Sequence, residues 1–239
     1  MNSIVQGFLG AFRLIFALDP VLLHIILLSI RVSGTALLVA TCLGLPVGAL
    51  LALRRVPLRG VFLSLLSTGM GLPPVVVGLF FYLLLSRSGP LGVLELLYSP
   101  TAMIIVQTVL AFPIVASLSH AAIAKVNPVI RQAAVTLGAT PMQEVITVVR
   151  EARYGILAGV MAGLGRVMAE VGGILIVGGN IAGYTRVITT TIVLETSMGD
   201  FELAIALGII LLFIAFSVNV GLRFFQRLGA VRSGVIIWD

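Results

Sequence analysis

The chain has 239 residues, of which 59% are hydrophobic and 10% charged, and its mean hydropathy is +1.20. Soluble domains carry about 25% charged residues, so this composition excludes an ordinary soluble fold and indicates an integral membrane protein. The net charge of +6 does not mark a nucleic-acid binder, because the basic residues are sorted loop by loop, and the single cysteine, Cys42, excludes a disulfide framework and a thiol-rich metal site.

Long apolar runs rich in Gly and Ala predict an all-α bundle and not an outer-membrane barrel. Residues 1–31 hold two apolar pieces, 4–18 and 20–30, broken by Arg13, Asp19-Pro20 and Arg31. They read as an interfacial, extracytoplasmic lead-in. No signal peptide is expected, since Arg13 lies inside the first apolar piece and no cleavage site follows. A hydrocarbon core of about 30 Å needs about 20 helical residues. Five stretches meet that length: 32–53, 60–85, 101–124, 155–179 and 203–222. They form a single transmembrane domain over 32–228, with a tail at 229–239. Cys42 is expected to be a small buried hydrophobe in the first span. Pro73-Pro74 and Pro113 are expected to bend the second and third. The run 187–194 is too short to cross, and reads as a re-entrant turn or a short surface helix.

Charge orients these spans. Arg54, Arg55 and Arg59 follow the first, Lys125, Arg131, Arg150 and Arg153 follow the third, and Arg223, Arg227 and Arg232 follow the fifth. The opposite side holds Arg87 and Arg186 against Asp19, Glu95, Glu195, Asp200 and Glu202. The basic loops are therefore expected in the cytoplasm, with the N-terminus outside and the C-terminus inside.

That assignment makes 127–153 cytosolic. Asn127 is placed to N-cap a helix with Pro128 at its first position, where a missing N–H costs nothing. Gly138 is placed to end it in the left-handed conformation of a C-terminal turn. Thr140 then N-caps a second helix, with Pro141 next and Gln143 completing a capping box. Val129, Ile130, Ala133, Ala134 and Leu137 recur at helical spacing and share an apolar face, with Arg131, Gln132 and Thr136 off it. Two readings stay open, a loop helix lying on the membrane or a shaped insert for a partner's groove. The double caps and the small Ala133-Ala134 pair favour the insert.

Within the membrane, Arg166 and Glu170 stand four apart and are expected to share a helix face. One reading is an intrahelical or intersubunit ion pair. The other is that Arg166 lines the path of an anion while Glu170 anchors or gates it; a bare carboxylate would repel such a cargo, which favours a structural task for Glu170. Asn180, Thr185, Arg186, Thr189, Thr190 and Thr191 offer donors suited to an anion, or else make a polar surface loop. Arg31 is expected to snorkel at the outer edge of the first span. His24 and His120 have no ligand partners at metal spacing and read as packing residues. Gly172, Gly173, Gly178 and Gly179 predict close helix contact. No Ser/His/Asp set, paired carboxylates, Cys/His cluster or P-loop is present, so no catalytic residue, metal or cofactor is expected, and no ATP-binding motif is seen in this chain.

The segment Gln132-Ala133-Ala134-x3-Gly138 resembles the coupling loop of permease subunits of ATP-binding-cassette (ABC) importers. That loop begins Glu-Ala-Ala and ends in an aliphatic residue and Leu-Pro. Here Gln132 replaces the Glu, Val148 keeps the aliphatic position, and Arg150-Glu151 replace Leu-Pro. Leu72-Pro73-Pro74-Val75-Val76-Val77-Gly78 is similar to the LPPVVxG stretch of molybdate-type oxyanion permeases, and Glu170-Val171-Gly172-Gly173 to their Glu-Phe-Gly. Glu151-Ala152-Arg153, Gly178-Gly179-Asn180-Ile181 and Thr185 to Thr191 resemble the tungstate branch.

The resemblance covers about 20–225. It implies a type I importer permease that forms a homodimer in the inner membrane. It also implies two cytosolic ATPase subunits and an extracytoplasmic binding protein. Arg131, Gln132, Ala133, Ala134, Leu137, Gly138 and Ala139 would couple to the ATPase. Tungstate is the expected cargo, then molybdate, with sulfate or phosphate as alternatives. A secondary transporter driven by an ion gradient is the rival from another class. It would need paired repeats with central carboxylates; no repeat is visible and Glu170 is a single mid-membrane carboxylate. A membrane scaffold without transport is a third reading.

Overall fold

A computed structural model describes Phe12, Arg13, Phe16 and residues 19–233, with side chains as far as Gly221. The lead-in expected over 4–18 therefore lies largely outside the described residues, as do the last six residues of the tail. The described residues form ten α-helices and no strand, in agreement with the all-α expectation.

The first helix, α1 (Pro20–Leu53), corrects one boundary. It runs through Arg31 and Pro46 without a break, so the piece at 20–30 and the span at 32–53 are one element. At 1.5 Å per residue its 34 residues measure about 50 Å, well beyond a hydrocarbon core of about 30 Å. Cys42 is exposed on this helix, not buried as expected. His24 and Arg31 are exposed as well.

The second span is two helices, α2 (Arg59–Met70) and α3 (Pro74–Leu85), bent by 100°. The doubled proline explains the bend. Pro73 and Pro74 bring no N–H to continue the ladder, and Pro74 takes the first helical position of α3, where none is needed. The helix α4 (Pro100–Ala124) is N-capped by Ser99, whose Oγ accepts from the Ala102 amide, and it carries Pro113 without breaking. It is the buried axis of the larger compact unit, residues 23–190. Met103, Val106, Gln107, Leu110, Ala111, Val115, Ala116 and Ser119 are all sequestered along it. Its most extensive packing is against α7 (Arg153–Met168).

After α4 come α5 (Pro128–Thr136) and α6 (Pro141–Glu151), then α7 and α8 (Gly172–Gly178), a pair bent by 58°. The span expected as continuous over 155–179 is thus broken at 169–171. Two further helices follow, α9 (Ile188–Met198) and α10 (Phe201–Ser233). The short run at 187–194 is helical, and α10 continues past the apolar stretch into what the sequence marks as tail. Among the described residues three helices, α1, α4 and α10, are long and apolar enough to cross a membrane, or up to five if each bent pair is one span.

A second compact unit comprises residues 1–22 and 191–239. Within its described part, Ala204, Ala206 and Leu207 of α10 are buried.

Candidate functional site

Two places carry polar chemistry that the apolar bundle does not need for its own packing. One is the pair of broken spans. The other is the α5–α6 pair.

A broken helix frees backbone groups, and in hydrocarbon each must find another partner. At the α2/α3 elbow, the Val76 amide bonds the Pro73 carbonyl at 3.1 Å, not the Leu72 carbonyl that a continuous helix would offer it. The Leu72 oxygen is left over, and the guanidinium of Arg166 takes it, Nη2 donating at 2.8 Å. At the α7/α8 break, Gln107 Nε2 donates to the Val167 carbonyl at 3.1 Å, and Thr189 Oγ1 to the Glu170 carbonyl at 2.8 Å. Glu170 turns its own carboxylate onto the chain ahead, where Oε1 accepts from the Gly173 amide at 2.7 Å. Side chains thus restore at each break what the missing ladder bonds removed.

The break corrects the helix-face expectation for Arg166 and Glu170. The helix ends between them, and they form neither a hydrogen bond nor an ion pair; among the described residues the ion pair is Arg131–Glu144. Arg166 reaches the neighbouring span and leaves its Nε buried with no acceptor. Glu170, 4% exposed, is spent on backbone.

The two elbows also touch. A Cβ built on Gly78 of α3 would stand 2.7 Å from Cα of Gly173 on α8, and one on Gly173 would stand 2.9 Å from the Pro74 carbonyl. Only glycine permits this approach. Gly178 and Gly179 are equally confined, against Met103 and Tyr98.

The polar loop after α8 is largely self-satisfied. Thr185 Oγ1 donates to the Gly178 carbonyl at 2.6 Å and accepts from the Ile181 amide at 2.9 Å, which caps the end of α8. Thr190 Oγ1 donates to the Val187 carbonyl and accepts from its amide. Arg186 leans on the Asn180 carbonyl at 3.4 Å, and Asn180 Nδ2 on the Thr190 carbonyl at 3.5 Å. Of the residues expected to meet an anion, Thr185, Thr189 and Thr190 give their hydroxyl protons to the chain itself. Arg166 and Arg186 alone bring positive charge. His120 is more than a packing residue, since its Nε2 lies 3.0 Å from Nη2 of Arg59.

The α5–α6 pair has the caps read from the sequence. Asn127 Oδ1 accepts from the Val129 amide at 3.0 Å. Thr140 and Gln143 exchange both bonds of the capping box, and Gly138 takes φ +82°. The two helices differ in how they are held. From α6, Val148 enters an apolar cluster with Ala49 of α1, Ile123 of α4, and Ala152 and Ile156 at the start of α7. From α5, no residue is buried. Its Val129, Val135 and Leu137 are 62, 55 and 87% exposed. What fixes α5 is the turn and the Arg131–Glu144 ion pair, with Glu144 itself buried on α6. Of the expected coupling set, Gln132, Ala133, Leu137 and Gly138 are exposed and Ala134 and Ala139 half-buried, while Arg131 is turned to Glu144.

Sequence reasoning did not single out Gln107, Leu72 as an acceptor, or Glu144. Gln107 carried a signal, being an amide in the middle of an apolar span. The Leu72 carbonyl carried an indirect one in the two prolines that follow it.

Residues 44–228 match the family described as "Binding-protein-dependent transport system inner membrane component". The chain is 42% identical over 219 residues to the tungstate uptake system permease protein TupB of Peptoclostridium acidaminophilum, covering 92% of this chain and 96% of that protein. It is 46% identical over 212 residues to a probable anion ABC transporter permease protein of Haloferax volcanii, covering 86% and 91%. With the TupB of Campylobacter jejuni it shares 36% over 219 residues, 92% of each chain. The apolar helices, the two broken spans, the exposed capped helix and these likenesses lead to one conclusion: the chain belongs to the inner-membrane components of binding-protein-dependent transport systems, as a multi-pass permease subunit of an ABC importer.

Proposed function

We propose that this permease carries a tetrahedral oxyanion, tungstate ahead of molybdate, sulfate or phosphate, by alternating access at the interface of a homodimer. An extracytoplasmic binding protein delivers the anion, and ATP is hydrolysed by separate cytosolic subunits. Two relatives named for tungstate and a third named for an anion support the cargo. The pathway candidates are Arg166, Glu170, Asn180, Thr185, Arg186, Thr189 and Thr190. Arg166 and Arg186 attract the anion, and the others hold the breaks and loop that place them.

The observation that carries the reading is α5. A capped helix with an uncovered apolar face, joined by an ion pair to a helix that packs on the ends of three spans, is shaped for insertion in a partner's cleft. The basic loops put it in the cytoplasm, where that partner is the ATPase. The test is uptake by vesicles holding this chain with its ATPase and binding protein. Tungstate uptake that requires ATP supports the proposal. Uptake by this chain alone, driven by an ion gradient, overturns it.

A further inference from the structure

We infer that the Leu72 carbonyl is a stand-in for the cargo: it occupies the place on Arg166 that an oxyanion oxygen takes during transport, and the arriving anion displaces it and frees the α2/α3 elbow. This rests on the oxyanion reading above and adds to it a contact residue and a consequence.

A guanidinium at the depth of a span is costly unless a negative group faces it. Arg166 has no carboxylate bonded to it. Glu170, the nearest in sequence, holds the Gly173 amide with Oε1. Arg166 feels the charge of Glu170 through space without bonding it, and its direct partners are few for a cation, a single neutral carbonyl at 2.8 Å on Nη2 and nothing on Nε. The Nε–H and the outward Nη2–H lie on the same edge of the planar group. That edge is the fork that takes two oxygens of a carboxylate, phosphate or similar oxyanion side by side. In this structure Nη2 holds the Leu72 carbonyl and the buried Nε has no partner. A dianion satisfies both and supplies the charge that the carbonyl lacks.

The placeholder is attached to a movable part. Leu72 O has no helical partner because the Val76 amide bonds Pro73 O. Its hydrogen bond to Arg166 ties the α2/α3 elbow to the last turn of α7. Gln107 in turn holds that turn through the Val167 carbonyl, so Arg166 is kept in place while the elbow is the part released. An anion on Arg166 therefore removes one tie between the two broken spans and leaves the glycine contact of Gly78 with Gly173 as the pivot. Occupancy of the path and freedom of the elbow become the same event.

The test uses the full importer in vesicles, with spin labels at Leu65 and Phe80, exposed positions on the two arms of the elbow, in a Cys42→Ala background. Two variants are compared with wild type. Arg166→Gln removes the fork and the tie. Arg166→Lys keeps the charge as a point without the paired donors, so it also covers the case in which Arg166→Gln fails to assemble. Tungstate should change the distance distribution of wild type. Arg166→Gln should show the changed distribution without tungstate. Arg166→Lys should raise the half-saturating concentration of tungstate-loaded binding protein about tenfold, the scale of one lost charge-assisted bond. A merely structural arginine would also free the elbow in Arg166→Gln, but tungstate would leave the wild-type distance distribution unchanged and Arg166→Lys would keep the wild-type half-saturation; that pattern overturns the exchange. Wild-type vesicles that take up none of tungstate, molybdate, sulfate or phosphate refute the oxyanion reading itself, and the exchange with it.

Discussion

Replacing Gly78 with Ala should drive the two broken spans apart. The added Cβ would lie 2.7 Å from Cα of Gly173, 2.9 Å from its carbonyl oxygen and 3.2 Å from its carbonyl carbon. All three are backbone atoms of α8, which no rotamer change can move aside. Carbon atoms settle at about 3.5–4.0 Å, so α3 and α8 must separate by about 1 Å along the contact. Overfilling a packed interior typically costs about 1–3 kcal/mol, which shifts the folding equilibrium by about 5- to 150-fold. The assay is reversible unfolding of the purified chain in mixed micelles, titrated with SDS. Gly34→Ala is the control: its Cβ meets nothing within 4 Å, and removing a mid-helix glycine gains about 0.5–1 kcal/mol. An unfolding midpoint for Gly78→Ala at or above that of wild type would refute the argument that the elbows meet through glycine.

Gly172→Ala should cost less than Gly78→Ala, because the added Cβ meets only the Val75 Cγ2 tip at 2.6 Å; parallel SDS titrations order the two. Gln107→Leu should destabilise by about 0.5–1.5 kcal/mol, since the Val167 carbonyl loses its side-chain donor and keeps the Glu170 amide, and the same titration checks it. Gly138→Ala should strain the α5–α6 turn by about 1–2 kcal/mol at φ +82°; it should lower ATPase association in pull-down while the SDS midpoint changes little, as the turn is outside the bundle. Leu137→Asp should abolish that association without any effect on the spans, because Leu137 is 87% exposed. A cysteine at Leu137 in a Cys42→Ala background should react with impermeant maleimide only in inside-out vesicles. Labelling from the opposite face would reverse the topology and remove α5 from the ATPase's reach.

The helix pair at 127–153 was legible to the residue, because caps are local: Asn127, Gly138, Thr140 and Gln143 act on amides within three or four positions, and no distant contact changes them. The elbow at Pro73-Pro74 was legible for the same reason. The break between Arg166 and Glu170 was not. Residues 155–179 are apolar apart from Arg166 and Glu170, and the groups freed at the break are met by long-range bonds from Gln107 and Thr189 that sequence spacing does not encode. Arg31 misled in the other direction. A charge in an apolar run reads as a boundary, yet a helix longer than the bilayer is thick can carry one beyond the hydrocarbon without interruption. The threonines of 185–190 supplied the right chemistry for an anion, but loop closure uses those same groups.

The contrast between anchored α6 and overhanging α5 has a mechanical corollary. Arg131 and Glu144 link the two helices across the turn of Gly138, so under the proposed docking tension applied at the overhang would pass to Val148 and hence to the feet of α1, α4 and α7 together. Two of those three are unbroken rods. The third, α7, terminates in the discontinuity that holds Arg166, so it is the compliant member, where a stroke from the nucleotide motor would be converted into rearrangement at the depth of the cargo.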